Sequence, residues 1–327
     1  MVRVASFNLN NLFSRYDFLG EVTALPAAPH AGDPPVEIVT QIDPGDPAGA
    51  KFRTFKGRLV KGKPAAERTK LAARIGALNA DVLCVQEVED VTTLTAFAQT
   101  DLAGLGYAHV VLVEGNDPRL IDVGVLSRLP IGGVTSWRHA VFAPSDTEAV
   151  FSRDLLQVEI LAADHSRKLL TVFNTHLKSQ FCDFTEDPVT CQQHNTDLRT
   201  RQAATAARIV NEQTRPTSRY LVCGDFNDRP GSAALTPLVR DPELKLVNGL
   251  AHAVPDKAAP KDQPPAPDEP WSDRYKESGK PADYALLDQM WLSPALAAKQ
   301  TGAGIGRRTH LGGDGSDHDP VWVDVDL

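Results

Sequence analysis

The chain has 327 residues, 42% of them apolar, enough for a large core in one or two domains. Its 34 Lys+Arg against 42 Asp+Glu leave a net charge of −8, which weighs against a protein that coats long nucleic acid through a distributed basic face. No stretch approaches the roughly 18 apolar residues of a membrane span, and 23 Gly with 24 Pro suit a loop-rich enzyme better than a helical bundle.

The chain starts on the apolar run Val2-Arg3-Val4-Ala5-Ser6-Phe7, read as a strand over about residues 2–9. No signal peptide precedes it, so the expected location is cytoplasmic, or outside the cell if a leader has been removed. A long Pro/Gly-rich segment follows from Tyr16 to Pro64. In it Lys51, Arg53, Lys56, Arg58, Lys61 and Lys63 interleave with Phe52 and Phe55, as a solvated loop or as a hairpin reaching phosphates beside a site. Residues 65–78 carry Leu71, Ile75 and Leu78 at helical spacing and lead into a strand over 81–87; a second helix is expected over 91–102. Runs at 108–113, 122–126, 155–161 and 168–176 are spaced like a meandering antiparallel sheet. An Arg- and Ala-rich helix over about 197–213 precedes the strand that ends at Asp225. A short helix near 232–239, an irregular surface loop over 251–282, and strands near 285–292 and 320–325 complete the chain. These elements predict two face-packed sheets with helices outside, in one domain spanning 1–327, with long loops at about 16–64 and 251–282.

Cys84 and Cys223 sit inside apolar runs and read as small core residues. Cys182 and Cys191 lie nine positions apart in a polar loop after His176. They are either a disulfide, which would suit an exported protein, or two free thiols in the cytosol.

Six strand-like runs end in residues that bind metals or handle protons: Asn8, Glu87, His176, Asp225 with Asn227, Asp288, and Asp317 with His318. Packed sheets bring strand ends together, and a convergence of four carboxylates, two amides and two imidazoles needs a hard cation. Carboxylate and amide oxygens suit Mg²⁺ or Mn²⁺. Asn8, Glu87 and Asp317 could hold one ion, with Asp225 and Asn227 completing or neighbouring it. No CxxC or HExxH points to zinc. Such an ion suits phosphate esters, whose non-bridging oxygens it neutralises. His318, beside Asp317 and near Asp288, is a candidate base for an attacking water. The chain has no GxSxG, no GxxxxGK[ST] loop and no dinucleotide fingerprint, so direct attack by water is expected instead of a covalent intermediate.

Taken in order, Ser6-Phe7-Asn8, Cys84-Val85-Gln86-Glu87-Val88, Asn174-Thr175-His176-Leu177-Lys178, Gly224-Asp225-Phe226-Asn227-Asp228, Leu287-Asp288-Gln289-Met290-Trp291-Leu292-Ser293 and Gly315-Ser316-Asp317-His318-Asp319-Pro320 resemble the endonuclease/exonuclease/phosphatase superfamily, the pancreatic deoxyribonuclease-like fold. The resemblance runs from residue 6 to residue 320. It implies an α+β fold, a four-layer α/β/β/α sandwich of two mainly antiparallel sheets flanked by helices, with the site at the sheet ends. It implies that Glu87, helped by Asn8 and Asp317, binds the main ion, one of one or two. Asp225 and Asn227 would lie against the attacking water and the phosphate, and His176 would hydrogen-bond the scissile phosphate. His318, oriented by Asp288, would act as base or transition-state donor, with Asp225 as a candidate to share the base role.

Arg153, in Phe151-Ser152-Arg153-Asp154, matches the segment where relatives carry a phosphate-facing arginine. Asp122 opens a strand resembling the one that supports the first histidine. With Asn116-Asp117-Pro118-Arg119, that strand resembles a bacterial branch of the family. Leu286-Leu287-Asp288-Gln289 stands where many relatives have Arg-Ile-Asp-Tyr, so contacts beyond the aspartate do not transfer. The implied activity is metal-dependent phosphoester hydrolysis by a monomer, as a nuclease or other phosphodiesterase, with DNA or RNA as candidate substrates and no membrane span. The alternatives are a small-molecule or lipid phosphodiesterase or phosphatase and, in another class, a catalytically silent binding module.

Overall fold

In the computed structural model, residues 1–14, 17–19, 40–43, 46–52, 58–60, 62–182, 186–263 and 265–327 are described. The chain separates into two compact units, Met1–Leu12 with Ala65–Leu327, and Phe13–Pro64. The smaller unit contains two antiparallel ladders, Asp17–Leu19 with Arg58–Val60 and Thr40–Asp43 with Asp46–Phe52. The expected phosphate-reaching hairpin of Lys51, Arg53, Lys56, Arg58 and Lys61 has its side chains outside the described residues.

In the larger unit the apolar runs pair into two mixed sheets, of seven and six strands. The first sheet runs, edge to edge, Val254–Pro255, Gln300–Ile305, Val321–Val325, Val2–Leu12, Val82–Val88, Asp122–Ser127 and His109–Leu112. The second runs Val247–Asn248, Asp288–Leu292, Tyr220–Asp225, Lys168–His176, Leu155–Leu161 and Ile131–Ser136. Most neighbours are antiparallel. The Val2–Leu12/Val82–Val88 and Lys168–His176/Tyr220–Asp225 pairs are parallel and lie inside their sheets. Strands buried on both faces read as unbroken apolar runs, which is why they stood out in the sequence.

Three apolar layers hold the sandwich together. Val4, Cys84 and Val125 of the first sheet meet Val158, Val172 and Cys223 of the second between the sheets. On the outer side of the first sheet, Phe7 and Val85 bury Leu71 and Ile75 of the Ala65–Leu78 helix and Leu94 and Phe97 of the Val91–Thr100 helix. On the outer side of the second, Phe173 and Val222 bury Ala203, Ala206 and Val210 of the Pro188–Gln213 helix. The layer order is therefore α/β/β/α. One polar bridge crosses the apolar middle: Gln86 Nε2 donates to Asn174 Oδ1 at 2.7 Å, and Asn174 Nδ2 donates to Val85 O and Gly124 O at 3.0 and 2.9 Å. Each of those donors is paired in the core, as a buried amide must be.

Two of the departures from the expected elements have local causes. The long helix starts at Pro188, not near 197, because Asp187 caps it by accepting from Thr190 N and Pro188 occupies its first turn. The 251–282 segment contains two short strands, Val254–Pro255 on an edge of the first sheet and Asp273–Tyr275 paired with Asp283–Ala285. Their pairing is made by backbone groups, so it leaves no apolar alternation to read. Cys182 and Cys191 form a disulfide, and Cys84 and Cys223 are free and buried.

Candidate active site

Strand register gathers the site. In the second sheet His176 lies opposite Asp225 and Asp225 opposite Asp288. Gly224 makes the first pairing possible: at φ 133° its backbone runs so close to the neighbouring strand that a Cβ would sit 1.8 Å from Thr175 O.

In the first sheet the ladders lose register between Asn8 and Leu12 and between Val85 and Val88. The chain there turns through left-handed residues, Asn10 at φ 48°, Asn11 at φ 58° and Glu87 at φ 60°. Asparagine tolerates this region, whereas for glutamate it costs on the order of 1–3 kcal/mol. The strain aims polar groups at one place. Asn10 N donates to Asn8 Oδ1 at 2.9 Å and Asn11 N to Glu87 Oε2 at 3.0 Å, and Asn8 Nδ2 reaches across the sheets to Asp225 Oδ2 at 2.9 Å.

Asp225 is the hub. Its Oδ1 accepts from Asn227 N at 2.9 Å; its Oδ2 lies 3.5 Å from His176 Nε2 and 3.8 Å from His318 Nε2. Asn227, at φ 52°, donates through Nδ2 to Leu177 O at 3.0 Å. His318 Nδ1 lies 2.7 Å from Asp288 Oδ2. Its backbone N donates to Ser316 Oγ, which in turn donates to Asn8 O at 2.7 Å. Arg153 is buried against the same carbonyl as Asn227, with Nη1 3.3 Å from Leu177 O and Nε 2.9 Å from Asp117 Oδ2. Asp317 is exposed beside His318.

The two histidines are held in opposite states. Burial, then the charges of Arg153 and His318, drives the His176 pKa well below its ordinary value. Burial also opposes charge on His318, but Asp288 and Asp225 outweigh it and raise its pKa well above the ordinary value. Burial, with Asp288 adding to it, pushes Asp225 up to about 7 against the pull of His318.

Asn8, His176, Arg153, Asp225, Asn227, Asp288 and His318 are thus linked by short contacts or shared partners; Glu87 is tied to them through the Asn10–Asn11 turn, and among the described residues no side-chain hydrogen bond or ion pair engages Asp317. Asp122 is not joined to His176. Its Oδ1 accepts from Gly115 N at 2.8 Å, while its Oδ2 and His176 Nδ1 are both buried with no hydrogen-bond partner. Burial pushes the Asp122 carboxyl up to about 7.

Ser272, Asp273 and Asp319 carried no metal-ligand or nucleophile pattern, and the sequence did not single them out. Ser272 Oγ accepts from Leu287 N at 3.1 Å and Asp288 N at 2.9 Å, and its carbonyl accepts from Asp319 N at 2.7 Å and Arg308 Nη2 at 2.8 Å. Asp319 is clamped by Arg74 at 2.9 Å, Arg307 at 2.9 Å and Arg308 at 3.0 Å. Asp273 pairs by a backbone bridge with His318, and its carboxyl is pushed up to about 6, first by burial and then by the charge of Asp317. Only the placement of Asp319 in the Ser-Asp-His-Asp-Pro run hinted at such a role.

Among the described residues, no three His, Cys, Asp or Glu side chains are grouped tightly enough to hold a metal ion by themselves. The wider donor set is nonetheless of one chemical kind. Carboxylates of Glu87, Asp225 and Asp317 and amides of Asn8 and Asn227 offer hard oxygens, and a cation offsets the burial, to which Asp288 adds, that disfavours charge on Asp225. These residues fit a hard divalent ion.

Two mixed sheets flanked by helices, with a His–Asp pair and a carboxylate hub at their ends, define a hydrolase of the deoxyribonuclease-like class. Residues 5–318 match the Endonuclease/Exonuclease/phosphatase family, and the chain belongs to it; it is a phosphoester hydrolase. Members of this family generally use a divalent metal ion. No curated protein was found to match the sequence.

Among solved structures, the human Nocturnin catalytic domain with bound sulfate is similar at TM-score 0.58 and 16% identity, over 99% of this chain and 94% of that one. An AP endonuclease from Archaeoglobus fulgidus is similar at TM-score 0.57 and 16% identity, over 100% of both chains. A mannosyl-6-phosphatase from Bacteroides thetaiotaomicron is similar at TM-score 0.55 and 13% identity, again over 100% of both. At these identities the likeness is one of fold. No helix among the described residues is long and apolar enough to cross a membrane.

Proposed function

We propose that the protein is a Mg²⁺- or Mn²⁺-dependent phosphodiesterase, a nuclease in the first instance, that hydrolyses its substrate as a monomer by direct attack of water. The observation that carries this reading is the position of Asp225 between two histidines of opposite charge preference, at 3.5 and 3.8 Å. A carboxylate held between the two rings at these distances is placed to act as base for water. His318, kept protonated by Asp288, is a donor to the oxygen on which charge develops. This assigns the base role to Asp225 and the donor role to His318.

Neutral His176 hydrogen-bonds the scissile phosphate, Arg153 neutralises it, and Asn227 orients it beside Asp225. Asn8, Glu87 and Asp317, with Asp225 and Asn227 beside them, would hold the ion or ions, which when bound neutralise non-bridging oxygens and stabilise the leaving oxygen. Asp122 supports this wall by holding Gly115. The AP endonuclease among the similar folds is consistent with a nucleic acid substrate.

The test is hydrolysis of bis-p-nitrophenyl phosphate, plasmid DNA and RNA with Mg²⁺, Mn²⁺ or EDTA, using Glu87→Gln as the blank. Metal-dependent diester cleavage lost in the blank supports the reading. Cleavage of p-nitrophenyl phosphate alone would make the protein a phosphomonoesterase.

A further inference from the structure

Three cations crowd one side of His176 with one carboxylate fixed between two of them. Asp117 Oδ2 lies 2.9 Å from Arg153 Nε, and its Oδ1 accepts from Arg119 N at 2.9 Å. The turn that presents Arg119 is braced at several points. Asn116 N donates to Ser152 O at 2.7 Å, Asn116 Nδ2 to Phe151 O at 2.9 Å, and Leu120 N to Asp117 O at 2.9 Å. The turn also lies flat on the Arg153 backbone, since a Cβ on Gly115 would sit 2.0 Å from Arg153 O. Lys178, two residues past His176, is fixed on both sides: its N donates to Gln202 Oε1 at 2.8 Å and its O accepts from Arg199 Nη1 at 2.9 Å.

Backbones are thus held while the charged ends stay free. Among the described residues no side-chain hydrogen bond or ion pair engages the Arg119 guanidinium or the Lys178 ammonium. Arg119 is exposed and Lys178 half-buried. Burial, and then the charge of Arg153, lowers the Lys178 pKa, with Asp117 and Glu186 acting the other way and Arg119 adding to the repulsion.

Arg119, Arg153 and Lys178 against Asp117 and Glu186 leave a local excess of one positive charge on a chain whose net charge is −8. Like charges held close together on a braced wall favour an anion that joins them. Asp117 is taken up by the Arg153 side chain and the Arg119 backbone, which leaves the Arg119 guanidinium and the Lys178 ammonium for an added anion. We propose that Arg119 and Lys178 form a second anion subsite, beside the reacting phosphate, that takes a flanking phosphate of the substrate. This rests on the phosphodiesterase reading for the first phosphate and narrows the substrate class to diesters that carry a second, flanking phosphate. A nucleotide strand presents that pattern, and a nucleoside 3′,5′-bisphosphate, though it carries two phosphomonoesters and no diester bond, presents its pair of phosphates as a binding probe. Arginine and lysine are the usual partners of phosphate, the first by its fork of donors and the second as a point charge.

The test is calorimetric binding of thymidine 3′,5′-bisphosphate and of the 5′- and 3′-monophosphates, in EDTA, to the whole protein. The double variant Arg119→Gln/Lys178→Gln removes the charges, and Arg119→Lys/Lys178→Arg retains them. The expected result is a preference for the bisphosphate on the order of tenfold or more in the wild type. That preference disappears in the first variant and largely returns in the second. Equal affinity for mono- and bisphosphate in the wild type, or a preference that survives the glutamine variant, overturns the subsite. With the subsite in place, binding of the dinucleotide pTpT at least as tight as that of the bisphosphate assigns the flanking phosphate to a strand, and much weaker binding of pTpT overturns that assignment. Binding is read without turnover, so the two readings fail separately. A protein inactive on bis-p-nitrophenyl phosphate would remove the phosphodiesterase reading, while the bisphosphate preference alone decides the role of Arg119 and Lys178.

Discussion

His318 Nδ1 lies 2.7 Å from Asp288 Oδ2, so a residue from the chain's last loop is oriented by the first residue of a strand thirty positions earlier. With Nδ1 bound to the carboxylate, Nε2 is turned toward Asp225. This fixes the orientation of the ring and the direction of the other ring nitrogen.

The pair makes a prediction about charge. A histidine whose folded pKa is raised contributes stability that is complete below its unfolded value of about 6.5 and is lost as pH rises through the folded value. In the metal-free protein, nitrogen NMR should find His318 still charged at pH 7 while His176 is neutral. Asp288→Asn should bring the His318 titration down toward 6.5, and His318→Ala should slow hydrolysis on the order of 10²–10⁴-fold. A wild-type His318 that titrates near 6.5 would remove the donor role assigned to it.

Ser272 should act on the same pair from outside it. Its hydroxyl is fully buried and is the acceptor for both Leu287 N and Asp288 N, while its carbonyl holds Asp319 N. Ser272→Ala leaves two buried backbone donors unpaired, at a cost on the order of 1–3 kcal/mol in urea unfolding. If Ser272 also positions the dyad, the variant will shift the His318 NMR titration and lower kcat more than it raises KM. Loss of stability with an unchanged titration and unchanged kcat would make it a structural residue only.

The contrast between His318 and Ser272 shows what the sequence can carry. Asn8, Glu87, His176, Asp225, Asp288 and His318 were legible because each follows or opens an apolar run that is buried on both faces. Residues that act through backbone groups leave no such mark. Ser272 works by its hydroxyl and carbonyl, and the Asp273–Tyr275 strand is defined by pairing with Asp283–Ala285. The strands Ile131–Ser136 and Gln300–Ile305 were missed because Gly132, Gly133, Gly302 and Gly304 break the side-chain alternation. Arg119 was visible as part of a motif, but its closeness to Arg153 depends on a turn closed by Asp117.

Asp154 offers a cleaner view of burial. Its carboxyl is 1% exposed, accepts from Trp137 N at 2.8 Å, and is pushed up to about 6, chiefly by burial. An acid with a raised folded pKa holds its proton in the folded state after the unfolded chain has lost it, so stability falls as pH rises from about 4 to above 6. Over that window the loss is on the order of 3 kcal/mol. Asp154→Asn keeps an acceptor for Trp137 N and removes the charge. Its stability relative to wild type, from urea unfolding at pH 4 and pH 7, should improve by about that amount at the higher pH. An equal difference at both pH values would count against the burial of charge at Asp154.

Glu87 combines strain with charge, and the two can be separated. At φ 60° its backbone lies in a region costly for glutamate, and its Oε2 accepts from Asn11 N at 3.0 Å. Glutamine keeps the side chain's shape and an acceptor for Asn11, so Glu87→Gln should unfold at nearly the wild-type temperature without metal. Adding Mg²⁺ or Mn²⁺ raises the wild-type Tm in proportion to the logarithm of ion concentration over Kd. If Glu87 is a principal ligand, that rise is lost or needs a much higher concentration in the variant. Glu87→Gly tests the strain: glycine takes positive φ freely, so it recovers on the order of 1–3 kcal/mol of strain, offset by its greater freedom in the unfolded chain. The expected pattern is a glycine variant no less stable than glutamine without metal, and both unresponsive to the ion. A glutamine variant that still gains the full metal-induced shift would move the principal ligand away from Glu87.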